Sequence, residues 1–256
     1  MEGIIEPEPT SGKMSPKTKV ILIITIVILA ICVFVAVFFS KPKQTEKTPA
    51  SAADIAILEK EVAADPSTAN ILRLSAVYIE SNMPTRAFPY LKALIKREPN
   101  NASAYCDLGV ANIMLKNYKQ GIDACTKAVQ LNPNFQLAKN NLEWGIAERA
   151  KVLTTIDELN TRTDDKKDNA YYTLLGASYF YVGDYDNAIA AWQTGAQKFP
   201  DSNTVYYNNI GSAEVIQKKY DAAIASFNQV LTIDPNNQLA KNNIIWAKSD
   251  AAENHY

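Results

Sequence analysis

Histidine is almost missing from this 256-residue chain, and cysteine is scarce. The single histidine, His255, is the penultimate residue, where a general base is not expected. The three cysteines show no CxxC spacing, which argues against a disulfide scaffold and against a zinc site. The chain also lacks an HExxH sequence, a glycine-rich phosphate loop and a GxSxG turn. The sequence therefore predicts a protein that is not an enzyme, with no catalytic residues, no metal site and no cofactor.

Excess charge of either sign is missing as well. The chain has 26 basic and 27 acidic residues and a net charge of −1. It has no basic stripe with interleaved aromatic residues, so we expect no nucleic-acid partner. The acidic residues Asp164, Asp165 and Asp168 have Lys166 and Lys167 among them, which favours a solvated loop over a metal site.

Charge is completely absent from residues 20–40, "VILIITIVILAICVFVAVFFS". As a helix this segment would span about 31 Å, close to the thickness of the hydrocarbon core of a bilayer. A cleaved signal peptide has a shorter apolar region followed by small residues, whereas this run leads directly to Ser40, Lys41 and Pro42. We therefore predict a transmembrane helix over 20–40, behind an N-terminal tail at 1–19.

The orientation of the predicted transmembrane helix is less strongly specified. Lysines flank it on both sides in similar number, and the positive-inside rule depends on their imbalance. The simpler arrangement keeps the short tail inside the cell. It predicts a single-pass membrane protein whose C-terminal domain lies outside the cytoplasm, in a periplasmic or extracytoplasmic space. Residues 41–53, "KPKQTEKTPASAA", have no apolar periodicity and are predicted to be a mobile linker.

A nine-residue phrase occurs twice in the remaining chain. "QLAKNNLEW" at 136–144 returns as "QLAKNNIIW" at 238–246, a shift of 102 positions, which is three times 34. Prolines recur at intervals near 34 or its double, at positions 66, 99, 133, 200 and 235. A period near 34 with a proline at the end of each unit is typical of a helix–turn–helix repeat.

The unit at 102–135 shows the pattern in detail. One face of a predicted first helix carries residues at spacings of three and four, namely Tyr105, Leu108 and Gly109. Tyr118 lies at the turn, and one face of a predicted second helix carries Gly121, Cys125 and Ala128. This pattern of large aromatic, Leu–Gly, Tyr, Ala, aromatic, Ala and Pro resembles the tetratricopeptide repeat (TPR) family. Four units of this chain have this pattern, at 68–101, 102–135, 169–202 and 204–237.

Each copy of the nine-residue phrase follows the second of two repeats and is not followed by a good second helix. We interpret the copies as capping helices, with Trp144 and Trp246 as lids over the last repeat. The predicted fold is all-α, a TPR solenoid of two cassettes behind a single transmembrane helix. Its parts are cassette one at 54–150 with its cap at 136–150, a connecting segment at 151–168, and cassette two at 169–252 with its cap at 238–252.

The resemblance also suggests a binding surface. In this family the residue before the Leu of the Leu–Gly pair faces the inner, concave surface, and here that position is often an amide. A side-chain amide has a donor and an acceptor and can pair with peptide backbone, as in the asparagine ladder of some peptide-binding TPR proteins. The alternative is that these amides bond to neighbouring helices or face water. The predicted peptide-binding residues are Asp107, Lys139, Asn140, Asn141, Asn208, Asn209, Lys241, Asn242 and Asn243.

These features predict a membrane-tethered TPR scaffold or adaptor that holds a segment of a partner protein in its concave groove. The alternative is a structural or assembly subunit of a larger membrane protein complex, which small residues at 32, 36 and 40 of the predicted transmembrane helix would favour. The expected partners are a protein or peptide and, through 20–40, the membrane. The chaperone-tail clamp of this family needs Lys and Asn where this chain has Leu72 and Ala76, so we do not expect that class of partner.

Overall fold

The computed structural model describes residues 50–254, and residues 1–49 and 255–256 lie outside this range. The predicted tail, the predicted transmembrane helix at 20–40 and most of the predicted linker are therefore outside the described residues. Between residues 50 and 254, no helix combines the length and the apolar character needed to cross a membrane.

The described residues form eleven α-helices and no β-strand. Two short 3₁₀ turns, Asp164–Lys166 and Pro200–Ser202, lie between helices. The helices are α1 Ala52–Ala64, α2 Thr68–Glu80, α3 Pro84–Arg97, α4 Ala102–Met114, α5 Tyr118–Leu131, α6 Gln136–Asn160, α7 Asn169–Val182, α8 Tyr185–Lys198, α9 Asn203–Ile216, α10 Tyr220–Ile233 and α11 Gln238–Asn254.

Helices pair in sequence order to form four helical hairpins: α2 with α3, α4 with α5, α7 with α8, and α9 with α10. First helices of neighbouring repeats also touch, since α4 contacts α2 and α6, and α9 contacts α11. Within residues 50–254 the second helices of neighbouring repeats share no comparable contact. First helices of neighbouring repeats therefore touch in three of these pairs, whereas α7 and α9 share no comparable contact. Because first helices touch across repeats and second helices do not, the first helices form the inner face of the array. The predicted all-α TPR solenoid is confirmed for this part of the chain.

The turn between the two helices has the same backbone conformation in every repeat. Asn82, Lys116, Gly183 and Lys218 all have positive φ, between 58° and 86°. The next residue donates its N–H to a carbonyl five positions earlier, at 2.8–2.9 Å in all four repeats. This pattern is a Schellman cap, which satisfies the last carbonyls of the first helix and reverses the chain. It fixes the geometry of each helical hairpin.

Close packing in three of the four hairpins depends on a glycine of the first helix that lies opposite a side chain of the second helix. A Cβ atom on Gly109 would lie well inside van der Waals contact of Cys125 Sγ, and one on Gly176 would overlap the Trp192 ring. The first repeat has Ser75 at this position, and its hydroxyl is buried with no hydrogen-bond partner in the described chain. The prediction that Gly109 allows the helices to approach closely is confirmed.

The predicted boundary at the end of cassette one needs correction. Helix α6 does not end at residue 150 but continues to Asn160, into the predicted connecting segment. The polar run at 151–160 contains Ile156 and Leu159 at helical spacing, and both are buried. Leu159 packs with Tyr171 and Tyr172 in the core of the second cassette. One helix is therefore shared by both cassettes because its two halves bury different faces.

The two tryptophans of the repeated phrase are not lids. Trp144 is 39% exposed and Trp246 is 41% exposed. The buried positions of α6 next to Trp144 are instead Ala138 and Gly145. A residue adjacent to Gly145 is rotated by about 100° around the helix, away from the contact face. Small residues therefore form this contact, and the indole of Trp144 lies beside it.

Two further boundaries differ from expectation. Helix α1 begins at Ala52, inside the predicted linker, because Ser51 and Asp54 form a capping box at its N-terminus. Helix α3 contains Pro89, which from sequence predicts a late start or a kink. The helix nevertheless begins at Pro84 and extends through Pro89, whose side chain is exposed.

Candidate functional site

A groove of about 390 Å³ opens between α7 and α9, the first helices of the third and fourth repeats. The side of α7 that faces it carries residues spaced by three and four positions, which is one face of a helix. Trp192 of α8 adds an indole to the lining. The lining residues are Thr173, Ala177, Phe180, Tyr181, Trp192, Asn209 and Ser212.

The aromatic side of this groove is formed by rings that pack against one another. Trp192 is only 3% exposed, and its Nε1–H donates to the carbonyl oxygen of Thr173 at 3.4 Å. The Phe180 ring packs against Trp192 with centroids 6.0 Å apart and edge-on against Tyr185 at 5.4 Å. Because these rings already pack against one another, Phe180 and Trp192 form a preformed aromatic wall on this side of the groove. Asn209 and Ser212 supply polar groups from the α9 side.

Of the nine predicted binding residues, only Asn209 lines this groove. Its side chain makes no hydrogen bond within the described part of the chain, so both its donor and its acceptor are available. Asn243 is partly buried and makes no side-chain hydrogen bond to residues 50–254 either. These two amides fit the predicted ladder.

Four other predicted amides are used inside the protein. Asn141 Nδ2 donates to Cys106 Sγ at 3.3 Å, which ties α6 to α4. Asn140 and Asn242 are exposed, and each accepts a hydrogen bond from the glutamine one turn earlier in its own helix.

Asn208 is the fourth of these amides, and the prediction that it binds a peptide needs correction. It is only 7% exposed, and its Nδ2 donates to the Thr204 carbonyl at 3.0 Å. Its position on α9 directs it into the protein because its neighbour Asn209 occupies the groove-facing position. Asn208 is therefore not placed to bind a partner at the surface. Its Oδ1 atom is buried without a hydrogen-bond partner among the described residues.

The charged members of the predicted set are Asp107, Lys139 and Lys241, and all three are partly buried. None of them forms an ion pair within residues 50–254. Burial raises the pKa of Asp107 to about 7. Asp107 therefore exchanges its proton near neutral pH.

The residues that precede the Leu of each Leu–Gly pair form the row of inner-face positions, and Arg73 and Leu174 interrupt this row. Arg73 is paired with Glu61 of α1. Leu174 is exposed and apolar. The aromatic wall beside Leu174 was not predicted as a site from sequence. The signal for it was the spacing of Thr173, Ala177 and Phe180 along a single helix face.

The two cysteines of the described residues are not placed to act as thiolates. Cys106 and Cys125 are both buried and free. Burial raises the pKa of Cys106 to about 11 and that of Cys125 to about 12, so neither is a thiolate at neutral pH. Among residues 50–254, no group of three or more His, Cys, Asp or Glu side chains is arranged to hold a metal ion.

Comparison with known protein families agrees with the repeat geometry. A family model described as tetratricopeptide repeat matches residues 102–135, and a second model of the same description matches residues 173–238. The chain contains tetratricopeptide repeats. The matched segments correspond to α4 and α5 in the first cassette, and to most of α7 through α10 in the second.

Curated relatives are similar to this chain over part of its length. The chain is 29% identical over 100 residues to small glutamine-rich tetratricopeptide repeat-containing protein 2 of Mycosarcoma maydis, which is 39% of this chain and 28% of that protein. It is 33% identical over 78 residues to the chloroplastic TPR domain-containing protein PYG7 of Arabidopsis thaliana, which is 30% of this chain and 26% of that protein. The chain thus spans about a quarter of the length of these relatives.

Among solved structures, the crystal structure of MamA is similar at 24% sequence identity and a TM-score of 0.31. The match covers 70% of this chain and 85% of MamA. A likeness at this level carries no information about ligands.

Proposed function

We propose that this TPR protein is a membrane-tethered scaffold that holds an extended segment of a partner protein against its first helices. The observation that carries the proposal is the groove between α7 and α9. It combines an unpaired amide, Asn209, with a preformed aromatic wall formed by Phe180 and Trp192. The amide can pair with the backbone of an extended chain, and the aromatic wall can receive an apolar side chain.

The proposed mechanism is binding without chemistry. The groove volume of about 390 Å³ lies within the range of about 300–1,000 Å³ that is usual for ligand pockets, and suits one or two side chains. Asn243 of α11 would extend backbone pairing along the inner face. The protein would act as an adaptor with no catalytic residue and no cofactor.

Site-specific photocrosslinking in native membranes tests the location of the partner. A benzoylphenylalanine at Ser212, inside the groove, is expected to crosslink the partner, whereas one at Asn228, on the exposed side of α10, is not. Adding Ala177→Arg, which fills the groove, should remove the Ser212 crosslink. Equal crosslinking from both positions, unaffected by Ala177→Arg, would place the partner elsewhere.

Amide variants test how the partner is bound. Each amide that pairs with peptide backbone contributes about 0.5–1.5 kcal/mol, so Asn209→Ala with Asn243→Ala should weaken binding by about 1–3 kcal/mol. The melting temperature should be unchanged, because neither side chain bonds within the described chain. Asn141→Ala is the matched control. It removes a bond to Cys106 and should lower stability instead.

The tether is proposed from residues 20–40, whose uncharged run has the length of a bilayer span. We also propose that the repeat domain lies outside the cytoplasm. Protease added to intact cells or spheroplasts should then degrade residues 54–256. Protection of that domain until the membrane is broken would place it in the cytoplasm.

A second candidate function is an assembly subunit of a larger membrane protein complex. The observation in its favour is that large apolar side chains are exposed on the two capping helices. Leu137 and Ile146 of α6, and Leu239 and Ile245 of α11, are each more than half exposed. A fixed subunit should remain with its complex in constant stoichiometry after mild detergent extraction, whereas a transient scaffold should be recovered largely free.

A further inference from the structure

Asp107 is the only acidic side chain in the row of inner-face positions. It occupies on α4 the position that Asn209 occupies on α9, 102 residues later, and Asn209 lines the groove. Asp107 is partly buried. Within residues 50–254 its carboxylate accepts no hydrogen bond and forms no ion pair. Burying a carboxylate without a hydrogen-bond or charge partner is unfavourable. The ionised Asp107 side chain therefore lowers the stability of the free protein.

The two neighbouring positions in the row could supply a partner but do not. On α2, the guanidinium of Arg73 is paired with Glu61 of α1. On α6, the amide of Asn141 donates to Cys106 Sγ. Lys139 of α6 forms no ion pair with Asp107. The carboxylate therefore remains available on the inner face, between neighbours that are already bonded elsewhere.

We propose that Asp107 determines the specificity of the inner face by binding a lysine or arginine side chain of the partner segment. This inference rests on the proposed function, because it names the chemistry of the segment that the inner face holds. The other unbonded inner-face groups, Asn209 and Asn243, are neutral amides that pair with any backbone. A single charge among them sets which side chain is accepted and in which register the segment lies.

Selection from a random library tests the proposal. The full-length protein is used to select from phage that display random twelve-residue peptides, in parallel with the Asp107→Asn variant. Peptides selected by the wild type should carry Lys or Arg at one recurrent position, and those selected by Asp107→Asn should not. A synthetic selected peptide should bind Asp107→Asn about 10- to 100-fold more weakly than the wild type.

The matched variant is Asn209→Asp, which introduces a carboxylate at the equivalent position of the second cassette. It should add a second preferred position for Lys or Arg. If the wild type selects peptides without enrichment of Lys or Arg, or if Asp107→Asn keeps the enrichment, this inference is wrong and the proposed function stands. If the wild type selects no peptide at all, the proposed function fails and this inference fails with it.

Discussion

At the scale of single residues, Gly109 shows how little space the hairpins leave. An added Cβ would overlap Cys125 Sγ, and the backbone of Cys125 and Gly121 lies just beyond. Gly109→Ala should therefore lower the free energy of unfolding by about 1–3 kcal/mol, the usual cost of overpacking a core. Chemical denaturation measures this value.

Removing the Cys125 thiol tests why Gly109→Ala lowers the stability of the protein. The double variant Gly109→Ala, Cys125→Ala lacks the thiol that the new methyl group would meet. It should be more stable than the sum of the two single changes predicts. Strictly additive losses would mean that the thiol is not the obstacle and that the backbone contacts dominate.

The stability of the protein should depend on pH through Asp107. Burial raises its pKa to about 7 from a usual value of 3.8, so the folded protein retains this proton where the unfolded chain has lost it. The contribution of Asp107 to the free energy of unfolding therefore becomes more unfavourable as the pH rises from about 4 to about 7, and it stays constant above about pH 7. Asp107→Asn should match the wild type near pH 4 and exceed it by about 1–3 kcal/mol at pH 8, allowing for partial solvent screening.

Thermal unfolding of the two proteins from pH 4 to 8 measures this difference. Other titrating groups are common to both and cancel in the comparison. A difference that does not change with pH would show that Asp107 titrates normally and is not desolvated.

At the scale of helices, α6 is the element on which both cassettes depend. Its first half buries Ala138 beside Cys106 and Ala128, and its second half buries Leu159 beside Tyr171 and Tyr172. Thr154 is an exposed residue between the two halves. Thr154→Pro would remove a helical hydrogen bond and clash with the carbonyl of Ala150, at a cost of about 3 kcal/mol.

Because stability in repeat arrays is transmitted between neighbours, we expect Thr154→Pro to loosen the join between the cassettes. Hydrogen exchange should increase in the second half of α6 and in α7, with residues 68–114 much less affected. Thr154→Ala keeps the helix and is the control. No change in exchange around α7 would mean that the second half of α6 contributes little to cassette two.

At the scale of the whole array of residues 50–254, its first and last parts line the same cleft. Lys92 and Ala93 of α3 lie on one side of a cleft of about 500 Å³, and Trp246 and Ser249 of α11 lie on the other. Both faces belong to helices that lie far apart in sequence. The presence of this cleft therefore depends on how far the array turns between α3 and α11.

A pair of cysteines tests this arrangement. With Cys32 changed to Ser and the other two native cysteines buried, Ala93→Cys with Ser249→Cys should form an intramolecular crosslink with a short bismaleimide. Ala93→Cys with Gln197→Cys, on the exposed side of α8, should not. Equal crosslinking of both pairs, or of neither, would show that α3 and α11 do not face each other in solution.

The sequence alone determined the repeats. The 34-residue period, the glycine opposite a large residue and the turn after each first helix are local features, since each involves residues within one hairpin. The close contacts of Gly109 with Cys125, and of Gly176 with Trp192, therefore follow from the repeat pattern itself. The uncharged segment at 20–40 is equally local, and its assignment as a transmembrane helix remains a prediction.

Only the tertiary structure decided which residues are available at the inner face. Asn141 and Asn243 occupy the same place in the same repeated phrase, yet Asn141 is bonded to Cys106, whereas the residue equivalent to Cys106 in the second cassette is Asn208. Asn208 bonds to the Thr204 carbonyl of its own helix, so Asn243 keeps its amide unbonded. Identical local sequence thus leads to different hydrogen bonding because the partner atoms come from another helix. The same reason places Trp144 at the surface and Leu159 in the second core, since burial depends on which helix packs against each face.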